Sequence, residues 1–303
     1  MSYRRCAFIT GATGFIGSHL ARRLIGLGWE VHVLVRKESN LHLLDDVKGG
    51  FAPHVHDGTT GQLCRILGEA KPDMVFHLAS LFLPQHGPED VLPLVGSNLA
   101  FPASLLEAMA RNGLTRLINT GTSWQHFGNG EASPMNLYAA TKEAFEAIIR
   151  YYVETAGFRV ITLKLYDTYG PGDPRQKLIS LLLKAARSEE PLPMSPGEQR
   201  IDLVHVDDVV AAYLVAADAL FAGGEAGHAR YAVTTGNYCS IKEVVALFEK
   251  IIGKTLNVQW GKRPYREREV MHPWTGGDGL PGWQPRVSLP DGIADLVVRG
   301  RGQ

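Results

Sequence analysis

Thr10-Gly11-Ala12-Thr13-Gly14-Phe15-Ile16-Gly17 follows an apolar run at residues 5–10 and opens a stretch, 15–28, with Ile16, Leu20, Leu24 and Leu27 near helical spacing. Read as strand, glycine turn and helix, this segment suits a pyrophosphate. The turn needs no Cβ atoms in the ligand's way, and the helix start offers free amides. Gly11 and Gly14 would form the turn and its close approach, and Gly17 would let the helix pack on the sheet. The Gly-x-x-Gly-x-x-Gly spacing is one residue longer in its first interval than the usual dinucleotide fingerprint.

Outward from this turn, β-branched runs and helical stretches alternate. Residues 31–36, 51–56, 73–80, 115–122 and 159–166 read as strands two to six, with helices at 91–112 and 136–157. The pattern predicts an α/β fold, a Rossmann-type doubly wound parallel sheet. After Tyr166 the pattern changes. Gly- and Pro-rich loops at 170–174 and 191–197 bracket a helix at 176–188, followed by helix 209–221, a short strand 231–235 and helix 241–252. The tail from Gly261 reads as loop, with Pro264, Pro273, Pro281 and Pro285. The expected division is a dinucleotide-binding domain, residues 1–167 plus 205–235, and a smaller C-terminal substrate-binding lobe, 168–204 plus 236–303.

Composition narrows the partners. The 303 residues carry 31 basic and 31 acidic side chains, so no net field draws nucleic acid or an anionic membrane. No consecutive apolar run approaches the roughly 18 residues of a membrane span. Cys6, Cys64 and Cys239 are odd in number and widely spaced, matching neither a disulfide framework nor a metal site. A cytoplasmic protein without a bound metal is expected.

The end of strand two selects between dinucleotides, because a carboxylate there accepts from the ribose 2′-hydroxyl of NAD and a cation tolerates the extra phosphate of NADP. Arg36 holds that place, followed by Lys37 and, two residues on, Ser39, which puts NADP ahead of NAD. Tyr138 and Lys142 stand four apart on the predicted helix after strand five, one turn from each other. A phenol with pKa near 10 is a poor acid–base group at neutral pH, and a nearby ammonium is expected to lower it. Strand five ends at Thr122-Ser123, where a hydroxyl would donate to a substrate carbonyl oxygen.

Taken together these residues resemble the extended short-chain dehydrogenase/reductase family, the NAD-dependent epimerases and dehydratases of nucleotide sugars. The resemblance covers nearly the whole chain. It includes Phe76-His77-Leu78-Ala79-Ser80, Asn98, Tyr169-Gly170-Pro171, His205-Val206-Asp207-Asp208-Val209 and Leu280-Pro281-Gly282-Trp283-Gln284-Pro285. The family's catalytic hydroxyl lies four residues before an aromatic preceding glycine. Phe127-Gly128 fill those places, which favours Ser123 over Thr122. The resemblance implies a catalytic set of Ser123, Tyr138 and Lys142. It also implies dinucleotide contacts from Gly11, Thr13, Gly14, Phe15, Ile16 and Gly17, from Asp57 and Gly58 at the adenine, and from Leu78, Ala79, Ser80 and Asn98.

The family's 4,6-dehydratases carry Asp-Glu after their catalytic Thr. Trp124 and Gln125 cannot do that work, so dehydration is disfavoured. The segments 121–126, 165–171, 195–199 and 265–271 resemble the subfamily of CDP-abequose and CDP-paratose synthases, which reduce the 4-keto group of a CDP-linked dideoxyhexulose. The expected activity is therefore NADPH-dependent reduction of a nucleotide-linked deoxyhexulose. The alternatives are a 4-epimerase retaining NAD and a reductase of a small non-nucleotide carbonyl. Thr122, Tyr166, Asp167, Lys177, Arg266 and Arg268 are the candidate substrate contacts beside Ser123, with the three cations placed for a diphosphate. Arg200, set beside Ile201 where relatives carry Arg, is expected to face away. Family analogy implies a homodimer.

Overall fold

The computed structural model describes residues 4–223 and 227–301, so the few remaining positions of the expected domain and lobe lie outside the described residues. The first half runs β1 (Cys6–Thr10), α1 (Phe15–Gly26), β2 (Glu30–Arg36), β3 (Ala52–His56), α2 (Thr60–Ala70) and β4 (Met74–His77). Then come α3 (Val91–Val95), α4 (Phe101–Arg111), β5 (Arg116–Thr122), α5 (Leu137–Ala156), β6 (Arg159–Leu165) and β7 (Asp167–Tyr169). The remainder is α6 (Leu178–Ala186), β8 (Leu192–Pro193), β9 (Arg200–Ile201), β10 (Leu203–His205), α7 (Val206–Phe221), β11 (Gly227–Val233), β12 (Cys239–Ser240), α8 (Ile241–Ile252), β13 (Val258–Gln259) and α9 (Leu289–Arg301).

Seven strands form one sheet in the order β11-β6-β5-β4-β1-β2-β3. Each neighbouring pair is parallel. The chain starts in the middle, at β1, and winds outward in both directions. The connection therefore reverses between β1 and β4, and a crevice opens at their carboxyl ends. One face buries Leu20, Leu24, Val209, Tyr213 and Ala216 from α1 and α7. The other buries Leu63, Leu67, Leu105, Met109, Phe145 and Ile149 from α2, α4 and α5. A third apolar cluster gathers Leu182, Leu203, Val244, Phe248 and Ile293, where β10, α6, α8 and α9 meet.

Three readings change. The expected strand 231–235 is instead β11, seven residues long, and it forms the edge of the main sheet against β6. Helices α2 and α9 were not among those expected. The prolines of the tail suggested loop throughout, yet Pro290 falls in the first turn of α9, where a missing N–H is tolerated. Gly292 is needed there: a Cβ would lie 2.2 Å from the Tyr169 hydroxyl. Finally, the helical run Pro88–Arg111 has the length and mean hydropathy, 1.3, of a membrane span. Counting consecutive apolar residues passes over it because Gly96-Ser97-Asn98 interrupts the run, and its Leu105, Leu106, Ala108 and Met109 are packed in the core.

Candidate active site

The glycine turn is built by close backbone approach. Gly11 has φ +78°, and a Cβ on it would lie 2.5 Å from the Ala79 nitrogen. Gly14 starts α1 with no side-chain cap, and no acidic residue stands in the first turn. The helix therefore presents its first amides unopposed, as a phosphate requires. Gly11, Gly14, Phe15, Ile16 and Gly17 line a groove that continues past Leu78 and Ser80 to Ser123, Tyr138 and Lys142. Those residues fit a dinucleotide. Thr13 borders this lining without joining it, and Ala79 contributes backbone, its N–H donating to Thr10 Oγ1 at 3.3 Å.

Outside the residues that line this groove, Arg36 closes β2 in register with His56. Its N–H donates to Ser39 Oγ at 2.9 Å, and the Ser39 N–H returns to the Arg36 carbonyl at 3.0 Å. This turn holds Arg36, Lys37 and Ser39 together at the carboxyl edge of the sheet. Asp57 and Gly58 follow β3 at the same edge. Hydrogen bonds from Thr59 hold the Asp57 carboxyl below its ordinary range.

Asn98 is placed otherwise than expected. It lies in a π-turn between α3 and α4, buried, with Oδ1 accepting from Leu81 N–H at 2.8 Å and Ser80 Oγ at 3.0 Å. Its Nδ2 donates to the Leu81 carbonyl and to Thr141 Oγ1. Four bonds turn this side chain inward, so Asn98 braces the Ser80 loop against α5 instead of lining the groove.

Asn136 caps α5 by accepting from the Ala139 N–H at 2.9 Å, which fixes where Tyr138 and Lys142 emerge. Both are buried. Thr122 Oγ1 accepts from the Trp124 N–H at 3.3 Å and so caps the turn after β5. The Ser123 hydroxyl has no hydrogen-bond partner among the described residues, and it lines both the groove and the adjoining cleft. Tyr138 meets the rings of Phe82 and Trp124 edge-on at 5.0 and 6.5 Å.

The expected lowering of the phenol is reversed. Burial pushes Tyr138 up to about 12, against the opposing Ser80 hydroxyl and Arg175 guanidinium. Burial also pushes Lys142 down to about 8, opposed by Glu146. Desolvation governs both groups, and the Tyr138–Lys142 attraction that spacing alone suggested shifts neither. Behind them His77 is held neutral, its pKa pushed down to about 3 by burial and by Lys142.

Beyond Ser123 the groove opens into a cleft of about 1150 Å³. Tyr166, Asp167 and Lys177 stand where the two meet, Thr122 lines the groove, and Arg266 lines the cleft itself. Lys177 Nζ donates to Asp167 Oδ1 at 2.7 Å and lies 5.1 Å over the Phe82 ring. Burial would raise the Asp167 carboxyl, but Lys177, Arg175 and Arg266 hold it below the ordinary range. Tyr166 is pinned by donating to the Trp274 carbonyl at 2.5 Å.

Arg268 is not in the cleft. It stacks 4.3 Å over Phe127, a ring at the cleft wall, and donates to Ser133 Oγ at 3.3 Å; the turn closed by Glu269 N–H on the Arg266 carbonyl sets it apart from Arg266. Arg200 lines the cleft despite its predicted outward direction, with Nη2 donating to the Tyr238 carbonyl. Sequence reasoning missed Arg263, which also lines the cleft, and Arg175, which lines the groove. Arg175 is held by Asp173 and the Thr168 carbonyl, with its guanidinium 4.8 Å over Phe15. A cation just after the Gly170–Pro174 loop was the available signal.

Residues 7–231 match the NAD dependent epimerase/dehydratase family. A CDP-abequose synthase of Yersinia pseudotuberculosis is 30% identical over 270 residues, covering 88% of this chain and 90% of its own length. A UDP-glucose 4-epimerase of Mycolicibacterium smegmatis is 28% identical over 321 residues, covering 95% of this chain and 96% of its own. Among solved structures, the UDP-glucose 4-epimerase of Thermus thermophilus in complex with NAD superposes with a TM-score of 0.83 at 25% identity, covering 98% of this chain and 99% of its own.

Proposed function

The chain belongs to the NAD dependent epimerase/dehydratase family, and on that basis we propose that it reduces the 4-keto group of a nucleotide-linked deoxyhexulose, CDP-linked by preference, with NADPH. The observation that carries this reading is the meeting of Ser123, Tyr138 and Lys142 where the glycine-turn groove opens into a cation-lined cleft. A small-carbonyl reductase has no need of Lys177, Arg263 and Arg266 in that cleft. The 30% identity to a CDP-abequose synthase supports the sugar class. Cytoplasmic placement and a homodimer through α4 and α5 belong to the same proposal.

The glycine turn, with Arg36, Lys37 and Ser39 at the end of β2, would hold the dinucleotide, which would supply the hydride to C4. Ser123 and Tyr138 donate hydrogen bonds to the C4 oxygen. As that oxygen gains charge, Tyr138 passes its phenolic proton to it, so the carbonyl becomes an alcohol and a phenolate is left, to be reprotonated from solvent. A phenol held at about 12 carries its proton at neutral pH and remains a stronger acid than the alcohol it would form, so it can give that proton to the alkoxide. Lys142, as an ammonium, steadies the phenolate that results. The cleft cations grip the diphosphate and keep the sugar from leaving.

Lys142 is charged below its pKa of about 8 and loses its proton above it, while Tyr138 stays protonated across this range. Reduction is therefore expected to hold level at lower pH and decline as pH rises through about 8. A rate that climbs with pH in that window would contradict the assigned direction of proton transfer. Replacing Arg36 by Ala should weaken NADPH by about tenfold or more and leave NADH nearly unchanged, since one charged phosphate contact is worth about 1.5–3 kcal/mol. Equal losses for both dinucleotides in a fluorescence titration would remove the phosphate role.

A 4-epimerase with retained NAD is the second reading, favoured by the 28% identity to a UDP-glucose 4-epimerase. Purified protein incubated with NADPH and a panel of CDP-, UDP- and dTDP-linked 4-keto-6-deoxy sugars, and in parallel with the corresponding 4-hydroxy sugar nucleotides, separates the two. Absorbance loss at one dinucleotide per sugar, with product configuration read by NMR, is the expected result. Interconversion of C4 epimers without net oxidation of NADPH would overturn it in favour of the epimerase.

A further inference from the structure

Beneath the groove, a buried charge cluster that the reaction scheme leaves unused joins α5 to three other elements. Glu146 stands one turn beyond Lys142 on α5, with a side chain only 3% exposed. Its Oε1 accepts from Lys164 Nζ on β6 and from Gln125 Nε2 at 2.8 Å, and its Oε2 accepts from Arg230 Nε on β11 at 2.6 Å. Gln125 also donates to Glu143 Oε2 at 2.7 Å, while its Oε1 accepts the Thr122 N–H at 2.9 Å. The amide has one workable orientation. Flipped, it would set its carbonyl against two carboxylates and its NH₂ against a backbone N–H. Gly121 makes room for the cluster, since a Cβ there would lie 2.9 Å from Lys164 Cδ and 3.0 Å from Gln125 Oε1.

We propose that Glu146 is a positioning residue, which clamps the turn carrying Ser123 to the helix carrying Tyr138 and Lys142 and supplies the counter-charge that keeps Lys142 an ammonium. This role rests on Lys142 working in its charged form, as proposed for the reduction. The first half of the role is geometric. Through Gln125, Glu146 fixes the backbone at Thr122, one residue before the hydroxyl that meets the substrate. Through Lys164 and Arg230 it ties α5 to the two strands below.

The second half follows from what faces the site. β4 contributes neutral His77, β6 contributes Lys164, β11 contributes Arg230 and a His228 that burial and Arg230 push down to about 4, and α5 adds Glu143. Burial works against Glu146's charge, yet Lys164, Gln125 and Arg230 hold its carboxyl at about 2, so it stays an anion throughout the working range. It is the group that opposes the discharge of Lys142 by burial. Replacing it by a neutral side chain removes that opposition.

The test follows Lys142 itself, by NMR titration of protein carrying ¹³C at the lysine ε-carbons, with the resonance assigned through Lys142→Arg. In Glu146→Gln the Lys142 midpoint should fall by about one pH unit or more, a tenfold change in its protonation equilibrium. Lys164→Met should leave the midpoint in place, because Lys164 acts on Glu146 and not on Lys142. Should Glu146→Gln fold poorly with Lys164 left unpaired, the pair Glu146→Gln/Lys164→Met removes both buried charges and should show the same drop. In turnover, Glu146→Gln should lose kcat with little change in KM for the sugar nucleotide. A midpoint unmoved in both Glu146 variants, or one lowered as much by Lys164→Met, overturns the proposal. The titration needs no substrate, so its outcome stands even if the reductase assignment fails in the sugar panel.

Discussion

Tyr138→Phe is expected to lose about 10²–10⁴-fold in the rate of reduction while binding the dinucleotide as the parent protein does. The size of the loss comes from the position of the hydroxyl. It is the group assigned to give up its proton, and burial holds it protonated, at about 12, across the neutral range, while the Ser123 hydroxyl only donates a hydrogen bond. Nothing nearby can replace it. Lys177 is engaged by Asp167, His77 is neutral and bonded to Thr10, and Asp167 is held as an anion. The phenylalanine ring keeps the edge-on contacts with Phe82 and Trp124, and only one hydroxyl leaves the interior, so stability should change by no more than about 1 kcal/mol. Single-turnover absorbance and dinucleotide fluorescence measure the two halves. Turnover equal to the parent would remove Tyr138 as the proton donor.

Gly17→Ala carries the second large effect. A Cβ at this position would sit 2.1 Å from the Gly11 carbonyl oxygen, 2.8 Å from its carbon and 2.9 Å from Ala12 Cα. All three are backbone atoms, so no side chain can swing aside. The turn itself must open, lifting Gly11 off Ala79 and shifting the first amides of α1. Overpacking of this kind costs about 1–3 kcal/mol, and dinucleotide affinity should fall by about tenfold or more. Gly14→Ala makes the contrast: its Cβ meets only the Gly11 oxygen, at 3.3 Å, so the fold should survive it with a smaller change in melting temperature. If Gly17→Ala binds dinucleotide and melts like the parent, the turn is not the cradle of the pyrophosphate.

Much of this was legible before any coordinates. The order of strand, glycine turn and helix announced the parallel sheet, and Asn136 and Gly157 marked the ends of α5 to within a residue. Local chemistry wrote those signals. Helix α9 was harder, because its Pro290 and Gly292 serve a first turn and a contact with Tyr169 that no short window contains. The substrate side was read less well than the groove. Arg266 and Arg268 are two residues apart, yet only Arg266, over Trp124, lines the cleft, while Arg268 lies over Phe127, because a turn at 267–268 separates them.

What the chain order alone determined is the set of pieces: a turn that only glycine can make, a Tyr and a Lys one helical turn apart, and a cation at the end of β2. Those properties depend on residues within a few positions of one another. Folding settled everything that depends on dielectric and distance across the chain. Burial raised the phenol that the neighbouring ammonium was expected to lower, Asn98 was drawn inward by four bonds, and a cation of β11 met a carboxylate of α5 beneath the groove. The removal of water is decided by the whole packed molecule, and no local spacing encodes it.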